Sequence, residues 1–283
     1  MILENKKNNA TDQAWNQLHD RLMKDDLIPI KKEIARKPII YSPAFKWAAS
    51  AAVLFICILS VWFMKNTGTN ELFTLYNEEE ASTLVSTLED GSTVYLSEQT
   101  SLQYPSRFKE NKREVILQGE AFFEINKNPD RPFFINTESA IIEVLGTSFN
   151  VNSKNKSSFS LSVKNGEVKV TLKENNQSVN VKAGEAITLQ TNRLHLTKVK
   201  SEQFENQSKK IHFKDERLIN VIQIINTREN NIQLKIAPEL ENRLLTVSFS
   251  EENPQTIAKL ICLALGLQQF QQDNTIFISQ PKK

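Results

Sequence analysis

Eighteen consecutive residues without a charge, WAASAAVLFICILSVWFM at positions 47–64, constrain the fold of this chain more than any other feature. As an α-helix with a rise of about 1.5 Å per residue, this segment would be roughly 27 Å long, close to the thickness of a bilayer core. Trp47 and Trp62 stand near its two ends, where amphipathic rings prefer the headgroup region. We therefore predict a transmembrane helix over residues 47–64, rather than a buried core helix or a signal peptide.

The charges that flank this segment predict its orientation. Basic residues crowd the N-terminal side, whereas Lys65 stands alone before Glu71 and the three glutamates at positions 78–80. Because basic residues favour the cytoplasmic side, we expect the N-terminus to lie in the cytoplasm. In a Gram-negative cell the chain would be a single-pass protein of the inner membrane, with the residues after about 65 in the periplasm.

The cytoplasmic tail, residues 1–46, contains one amphipathic helix. Thr11 can cap its N-terminus, and Trp15, Leu18 and Leu22 recur at i, i+3 and i+7 on one face. A tail of 46 residues contains few other residues that could cover this apolar stripe. Either the stripe packs on the tail itself or on the membrane surface, or it binds a partner protein.

A long region after a linker at residues 65–82 has the alternation of apolar and polar residues that is typical of β-strands. Residues 83–200 show short alternating runs, and glycine-containing turn signals such as Asp90-Gly91 separate them. We predict an all-β domain here. A sandwich, a jelly roll and a β-helical stack of hairpins fit the spacing equally well.

Two acidic residues stand inside the apolar run LQGEAFFEI at positions 117–125. In a strand, Glu120, Phe122 and Glu124 share one face, so the two carboxylates lie about 13 Å apart. The paired carboxylates of glycosidases lie between roughly 5 and 10 Å apart. Glu120 and Glu124 are therefore expected to be polar side chains of a solvated or partner-facing strand rather than a catalytic pair.

Other patterns of catalysis or nucleic-acid binding are absent from the sequence. The three histidines are scattered, no serine lies in a G-x-S-x-G pattern, and there is no glycine-rich phosphate loop. The net charge is only +2, and the basic residues are dispersed. We expect no enzymatic activity, no cofactor, no metal site and no direct contact with nucleic acid.

The last part of the chain, residues 201–283, changes to a helical period. Asp215 can cap a first helix, and Asn253 with Pro254 can begin a second helix that ends at Gly266. Strand patterns surround both helices. We predict a small α+β domain of βαββαβ order with both helices on one face.

Several ordered motifs in the β region resemble the ferric-citrate regulator (FecR) family of membrane-bound anti-sigma factors. They lie in LEDGSTVYLSEQTSLQYPSRF at 88–108 and in the run from Arg113 to Val151 that begins REVILQGEAFFEI. The α+β part resembles the signalling domain of secretins and of TonB-dependent transducers. The motif residues singled out are Asp90, Gly91, Gly119, Glu120, Phe122, Glu124, Gly146, Thr147 and Phe149.

The resemblance implies a signalling role. A TonB-dependent transporter of the outer membrane would contact the periplasmic part through its signalling domain, and the cytoplasmic tail would then change its hold on an extracytoplasmic-function (ECF) sigma factor that controls nutrient-uptake genes. Trp15, Leu18 and Leu22 would anchor the sigma factor. The motif residues would be structural or would contact the transducer. The alternative is a membrane-anchored periplasmic module that binds carbohydrate or supports the envelope.

Overall fold

The computed structural model describes residues 3–25, 55–60, 71–78, 82–156, 158–199, 210–228, 231–250 and 252–281. The chain divides into two compact units, Met1–Gly68 and Thr69–Lys283, and each is described by itself.

The first unit contains helix α1 (Leu3–Lys24) and a helical stretch at residues 55–60. The helix begins at Leu3, so Thr11 lies inside it and does not form the predicted N-cap. Helix α1 thus extends about two turns before Thr11. No helix within the described residues combines the length and apolar character that crossing a membrane requires. The rest of the predicted membrane segment at 47–64 lies outside the described residues.

The second unit is built on two β-sheets that share one strand. The first sheet holds, in spatial order, β1 (Leu72–Asn77), β4 (Thr100–Pro105), β5 (Arg113–Glu124), β6 (Phe133–Asn136), β7 (Ala140–Val144), β10 (Glu167–Leu172) and β11 (Ser178–Lys182). The second sheet holds β13 (Arg193–Lys198), β12 (Glu185–Gln190), β9 (Phe159–Asn165), β8 (Ser148–Ser153), β5, β3 (Thr93–Leu96), β2 (Thr83–Thr87), β14 (Lys210–Arg217) and β16 (Leu244–Ser250). The strands from β1 to β13 confirm the predicted all-β domain, and we call this two-sheet part the sandwich.

Strand β5 passes from one sheet to the other at Gly119. Its first residues pair with β4 and β6, and its last residues pair with β3 and β8. Gly119 has φ +116°, and a Cβ there would lie 2.5 Å from Thr100 Oγ1 and 2.8 Å from Thr100 Cα. Only glycine combines this dihedral angle with so close a backbone.

The main hydrophobic core lies between the two sheets. Leu117, Ile135 and Ile142 face it from the first sheet, and Phe123 and Phe149 face it from the second. These side chains are almost completely buried. The alternation read from the sequence therefore selects the inward-facing residues on both sheets.

The C-terminal part of the chain adds two strands to the second sheet. Strand β14 pairs in parallel with β2, with Ile211 opposite Thr83 and Phe213 opposite Val85, and β16 pairs with β14. Helices α2 (Leu218–Arg228) and α3 (Pro254–Leu265) follow these strands. A separate three-stranded sheet holds β15 (Gln233–Ile236), β18 (Thr275–Ser279) and β17 (Gln268–Gln272) in that spatial order, and a 3₁₀ turn spans Pro238–Leu240.

A second hydrophobic core joins this C-terminal part to the sandwich. Val85, Tyr95 and Phe122 lie on the outer face of the second sheet and belong to the same buried cluster as Phe213 and the apolar faces of α2 and α3. Strand–strand pairing and a shared core thus connect residues 210–281 to the sandwich.

Two details of the predicted α+β part need correction. A hairpin of two strands, β17 and β18, follows α3, so the order is βαββαββ and not βαββαβ. Asp215 does not cap α2, because it lies in β14 at φ +49° beside a β-bulge. By contrast, the predicted cap of α3 is confirmed: Asn253 accepts a hydrogen bond from Thr256 N, and the C-cap Gly266 donates to Cys262 O.

Part of the predicted linker at 65–82 is also a strand. Residues 72–77 form β1, which pairs with β4 along its whole length. Leu75 packs against the main core and Asn77 is buried. The apolar residues of LFTLYN therefore serve an edge strand of the sandwich.

We predict that the sandwich and the C-terminal part unfold together. Phe122→Ala, in the sandwich, and Phe213→Ala, in β14, should each lower the free energy of unfolding by about 3–5 kcal/mol, because both remove a large side chain from the shared core. Both variants should show one cooperative transition in chemical denaturation. Two transitions, of which Phe213→Ala shifts only one, would contradict a shared core.

Candidate functional site

The Asp90-Gly91 motif forms a tight turn closed by its own side chains. Leu88 N donates to Ser92 O and Gly91 N to Leu88 O, both within 2.9 Å. The Asp90 carboxylate accepts hydrogen bonds from Ser92 N at 3.0 Å and from Ser92 Oγ at 2.7 Å. The turn thus places the Asp90 carboxylate on the inner side of the loop.

Arg113, the first residue of β5, makes a buried ion pair with this carboxylate. Arg113 Nη1 lies 2.6 Å from Asp90 Oδ2, and the two side chains are only 1% and 8% exposed. Arg113 also donates to the carbonyl oxygens of Arg131 at 2.8 Å and Asn126 at 2.9 Å, and its guanidinium lies over the Phe133 ring. Its Nη2 is buried and has no hydrogen-bond partner among the described residues.

This network joins four separate pieces of chain: the 88–92 turn, the start of β5, the loop at Asn126, and the segment from Arg131 to Phe133. Asn126 completes it, because Asn126 Nδ2 donates to Asp90 O and Asn126 N donates to Ser92 Oγ. The Asp90 side chain is therefore a packed part of the fold, and its carboxylate is not available to a protein partner.

Glu120, which follows the Gly119 bend, lies on the outer face of the second sheet. Asn150 Nδ2 and Asn152 Nδ2 donate to its carboxylate at 3.2 and 3.1 Å, and Lys154 Nζ lies 3.8 Å away. The side chain is 29% exposed. Glu120 is thus held by amide groups at a partly accessible position, as expected for a polar side chain on a strand face.

Glu124 and Phe122 share that face but have different surroundings. Tyr95 OH donates to Glu124 Oε2 at 3.1 Å, and the Tyr95 and Phe122 rings lie 5.8 Å apart. Burial raises the pKa of the Tyr95 phenol above its usual 10.0, and the Glu124 carboxylate raises it further. Phe122 is buried and Lys164 Nζ lies over its ring. The structure thus places Phe122 inside the shared core.

The third motif, at Gly146 to Phe149, leads into β8. A Cβ at Gly146 would lie 2.4 Å from Lys127 Cα, and Ile125 N donates to Thr147 O at 2.9 Å. Phe149 is completely buried and its ring stacks on Phe123 at 5.5 Å. All of these contacts are internal to the sandwich.

The residues predicted to bind a sigma factor lie on α1. Trp15 is 63% exposed and Leu18 48% exposed, while Leu22 is partly buried. The helix thus leaves a large aromatic and an aliphatic side chain open to solvent on one face. Within the described residues no group of three or more histidine, cysteine, aspartate or glutamate side chains is arranged to hold a metal ion.

Comparison with known proteins identifies the motif-bearing region. Residues 75–169 match the family described as FecR protein. These residues form a FecR domain. The match begins in β1 and ends in β10, so it contains the Asp90 turn, the Gly119 bend and the Gly146 motif.

Two crystal structures, each of a candidate anti-sigma factor from Parabacteroides distasonis ATCC 8503, are similar to the chain. They are 22% and 21% identical to it, and each match covers 75% of this chain and 100% of the other, with TM-scores of 0.45 and 0.44. No curated protein matches the chain.

Two residues outside the predicted site hold the FecR domain and its neighbour in place. Arg113 is one. The sequence feature that could have identified it is an arginine at the first position of a strongly apolar strand. Glu216 is the other. It is 7% exposed, accepts from Thr87 N of the FecR domain at 3.0 Å, and accepts from Asn220 Nδ2 of α2 at 2.7 Å. Its carboxylate thus links strand β2 of the FecR domain to the first turn of α2.

We predict that Arg113→Met destabilises the protein by about 3–5 kcal/mol, because it leaves the Asp90 carboxylate buried without its cation. Lys169→Met is the matched control. It breaks the surface pair between Lys169 Nζ and Glu143 Oε2 at 3.1 Å, and should cost at most about 1 kcal/mol. Urea denaturation measures both changes. Equal effects of the two substitutions would show that the Asp90–Arg113 pair has no special role in the FecR domain.

We also predict an alkaline loss of stability that depends on Tyr95. The unfolded chain loses the phenol proton near pH 10, while the buried phenol keeps it to a higher pH, so the folded state binds more protons in that range. The contribution of Tyr95 is complete below about pH 10 and declines as the pH rises further. Denaturation near pH 8 and near pH 11 should show a smaller drop for Tyr95→Phe than for wild type.

The control for this prediction is Tyr76→Phe, which removes a phenol that is 48% exposed. This variant should lose as much stability as wild type between about pH 8 and pH 11. If Tyr95→Phe loses as much stability as wild type between the two pH values, the buried phenol does not carry the effect.

Proposed function

We propose that the chain is a transmembrane regulator that holds an ECF sigma factor through its N-terminal helix and responds to a contact made by its FecR-containing part. The observation that carries this proposal is the combination, in one chain, of a FecR domain at 75–169 and a helix with Trp15 and Leu18 exposed on one face. We propose no catalytic step.

The face of α1 has the composition of an anchor for a protein groove. Trp15, Leu18 and Leu22 follow the i, i+3, i+7 spacing of helices that bind in hydrophobic grooves. Buried aromatic and aliphatic side chains dominate the affinity of such contacts. A sigma factor that covers Trp15 and Leu18 would remove a large apolar area from water.

A membrane anchor at residues 47–64 belongs to the same proposal. It would place residues 1–46 in the cytoplasm, where a sigma factor is available, and residues 65–283 in the periplasm. The described residues 55–60 within this segment are helical, in keeping with a helix across the bilayer. The N-terminal excess of basic residues supports this orientation.

The external contact would come from the periplasmic signalling domain of a TonB-dependent outer-membrane transporter, so that nutrient binding there changes transcription of uptake genes. Asp90, Phe122 and Phe149 are buried within the chain and are therefore assigned structural roles in this proposal. Accessible positions such as Glu120 could contribute to the contact surface, since its carboxylate is 29% exposed.

The test is retention of a sigma factor by the full-length chain. Co-expressed with each ECF sigma factor of its host, the chain should retain one of them, and a Trp15→Ala, Leu18→Ala double variant should weaken retention at least about tenfold. Gln13→Ala, Asp20→Ala is the matched control, because these exposed residues lie on the opposite side of α1.

Retention by the wild type and the control, but not by the double variant, supports the regulator and locates its binding face. If no sigma factor is retained, or if the Trp15, Leu18 variant binds as well as wild type, the proposed role of α1 is wrong.

A further inference from the structure

A cavity of about 680 Å³ opens at one end of the sandwich. Several connections between strands surround it: the β6–β7 turn, the residues that follow β8, the β10–β11 loop and the β12–β13 turn. Loops at the end of a sandwich, held in place by a rigid scaffold, are common positions for binding residues. The volume lies in the range of cavities that hold a small molecule.

Hydrogen bonds between these loops fix one wall of the cavity. Ser139 Oγ of the β6–β7 turn donates to Lys156 O, after β8, at 2.9 Å. Lys173 of the β10–β11 loop donates from its backbone N to Ser139 O at 2.9 Å and from its ammonium to Thr137 O. Ser139 and Thr137 are buried. This wall is therefore held in place by contacts within the chain.

The β12–β13 turn completes the cavity in a strained backbone conformation. Thr191 has φ +48° and Asn192 has φ +60°, and two positive φ angles are typical of a type I′ hairpin turn. A positive φ is rare for a β-branched residue such as threonine. Asn192 Nδ2 donates to Glu174 Oε1 at 2.7 Å, and Asn175 Nδ2 donates to Asn192 O at 3.0 Å, so the β10–β11 loop supports this turn. Strained backbone that neighbouring contacts maintain is concentrated at functional sites.

The lining of the cavity combines an apolar part with a charged rim. Its apolar part consists of Leu172, which is buried, and Leu189, which is half-buried. Glu138 and Lys156 are exposed on the rim. Neither the Glu138 carboxylate nor the Lys156 ammonium forms a hydrogen bond or an ion pair with the described residues. The other two charged side chains of the lining already take part in the hydrogen bonds that connect the loops.

We propose that this cavity binds a short peptide with free ends, at a site separate from the sigma-binding face of α1. The Lys156 ammonium binds the peptide carboxylate, the Glu138 carboxylate binds the terminal ammonium, and an apolar side chain of the peptide covers Leu172 and Leu189. A ligand with one charge, or with none, would leave at least one of the two rim groups without a partner. A free peptide supplies both charges and an apolar group within the size of the cavity.

Isothermal titration calorimetry of the full-length chain with the tripeptide alanyl-leucyl-alanine tests the site. Binding should be saturable, and Lys156→Gln and Glu138→Gln should each raise the dissociation constant at least about threefold, because each removes one exposed charge–charge contact. Both residues are exposed, so neither substitution should affect folding. Lys127→Gln and Glu110→Gln are the matched controls. These exposed residues do not line the cavity, so their substitution should leave the dissociation constant unchanged.

Modified peptides identify which end of the ligand each residue binds. A C-terminally amidated tripeptide should bind wild type and Lys156→Gln equally, because it lacks the carboxylate that Lys156 contacts. An N-acetylated tripeptide should bind wild type and Glu138→Gln equally, because it lacks the terminal ammonium. A tripeptide with both modifications should bind wild type at least about tenfold more weakly than the free tripeptide.

Saturable binding that follows this pattern supports the peptide site. The proposal is overturned if no binding is detected up to about 10 mM tripeptide, if the doubly modified tripeptide binds as tightly as the free one, or if the control variants weaken binding as much as Lys156→Gln. Binding of the neutral disaccharide cellobiose in place of the tripeptide also overturns it, because cellobiose carries neither charge.

Discussion

The buried pair of Asp90 and Arg113 is the interaction on which the FecR domain depends. Arg113 opens β5, the strand shared by both sheets, so the position of its guanidinium sets where this strand begins in the first sheet. The same guanidinium is bonded to the Arg131 and Asn126 carbonyls. Desolvation makes such a pair a weak source of net stability. We infer that its main effect is specificity, because any shift of β5 along its neighbours would leave the Asp90 carboxylate buried and unpaired.

The second constraint is the change of polarity along one row of the second sheet. From Phe213 the row runs through Val85, Tyr95 and Phe122, all buried, and then becomes polar at Asn150 of β8. The C-terminal part covers the apolar end of this row and leaves the polar end uncovered. Burial of apolar area thus determines where β14 and the two helices pack.

Local patterns in the sequence predicted the features that depend on neighbouring residues. Alternation gave the inward face of each strand, and Asn253, Pro254 and Gly266 marked both ends of α3, because caps and periodicity are local properties. Strand pairing between distant residues could not be predicted from such patterns. No local pattern in the sequence shows that β5 pairs in both sheets.

The same limit explains the burial of Phe122, which alternation alone placed on a solvated or partner-facing strand. Phe122 is covered by the chain's own C-terminal part, which joins the sheet more than eighty residues later through the parallel pairing of β14 with β2. A strand face with one apolar residue between two acidic residues, as in Glu120, Phe122 and Glu124, is normally predicted to be exposed to solvent. The partner that covers it becomes evident only from the fold.

The shared core restricts how the proposed relay could work. Glu216 bonds to Thr87 of β2 and to Asn220 of α2, and Phe122 and Phe213 belong to one buried cluster, so a hinge between the FecR domain and the C-terminal part would require breaking both. A partner that binds either part would therefore act on one body.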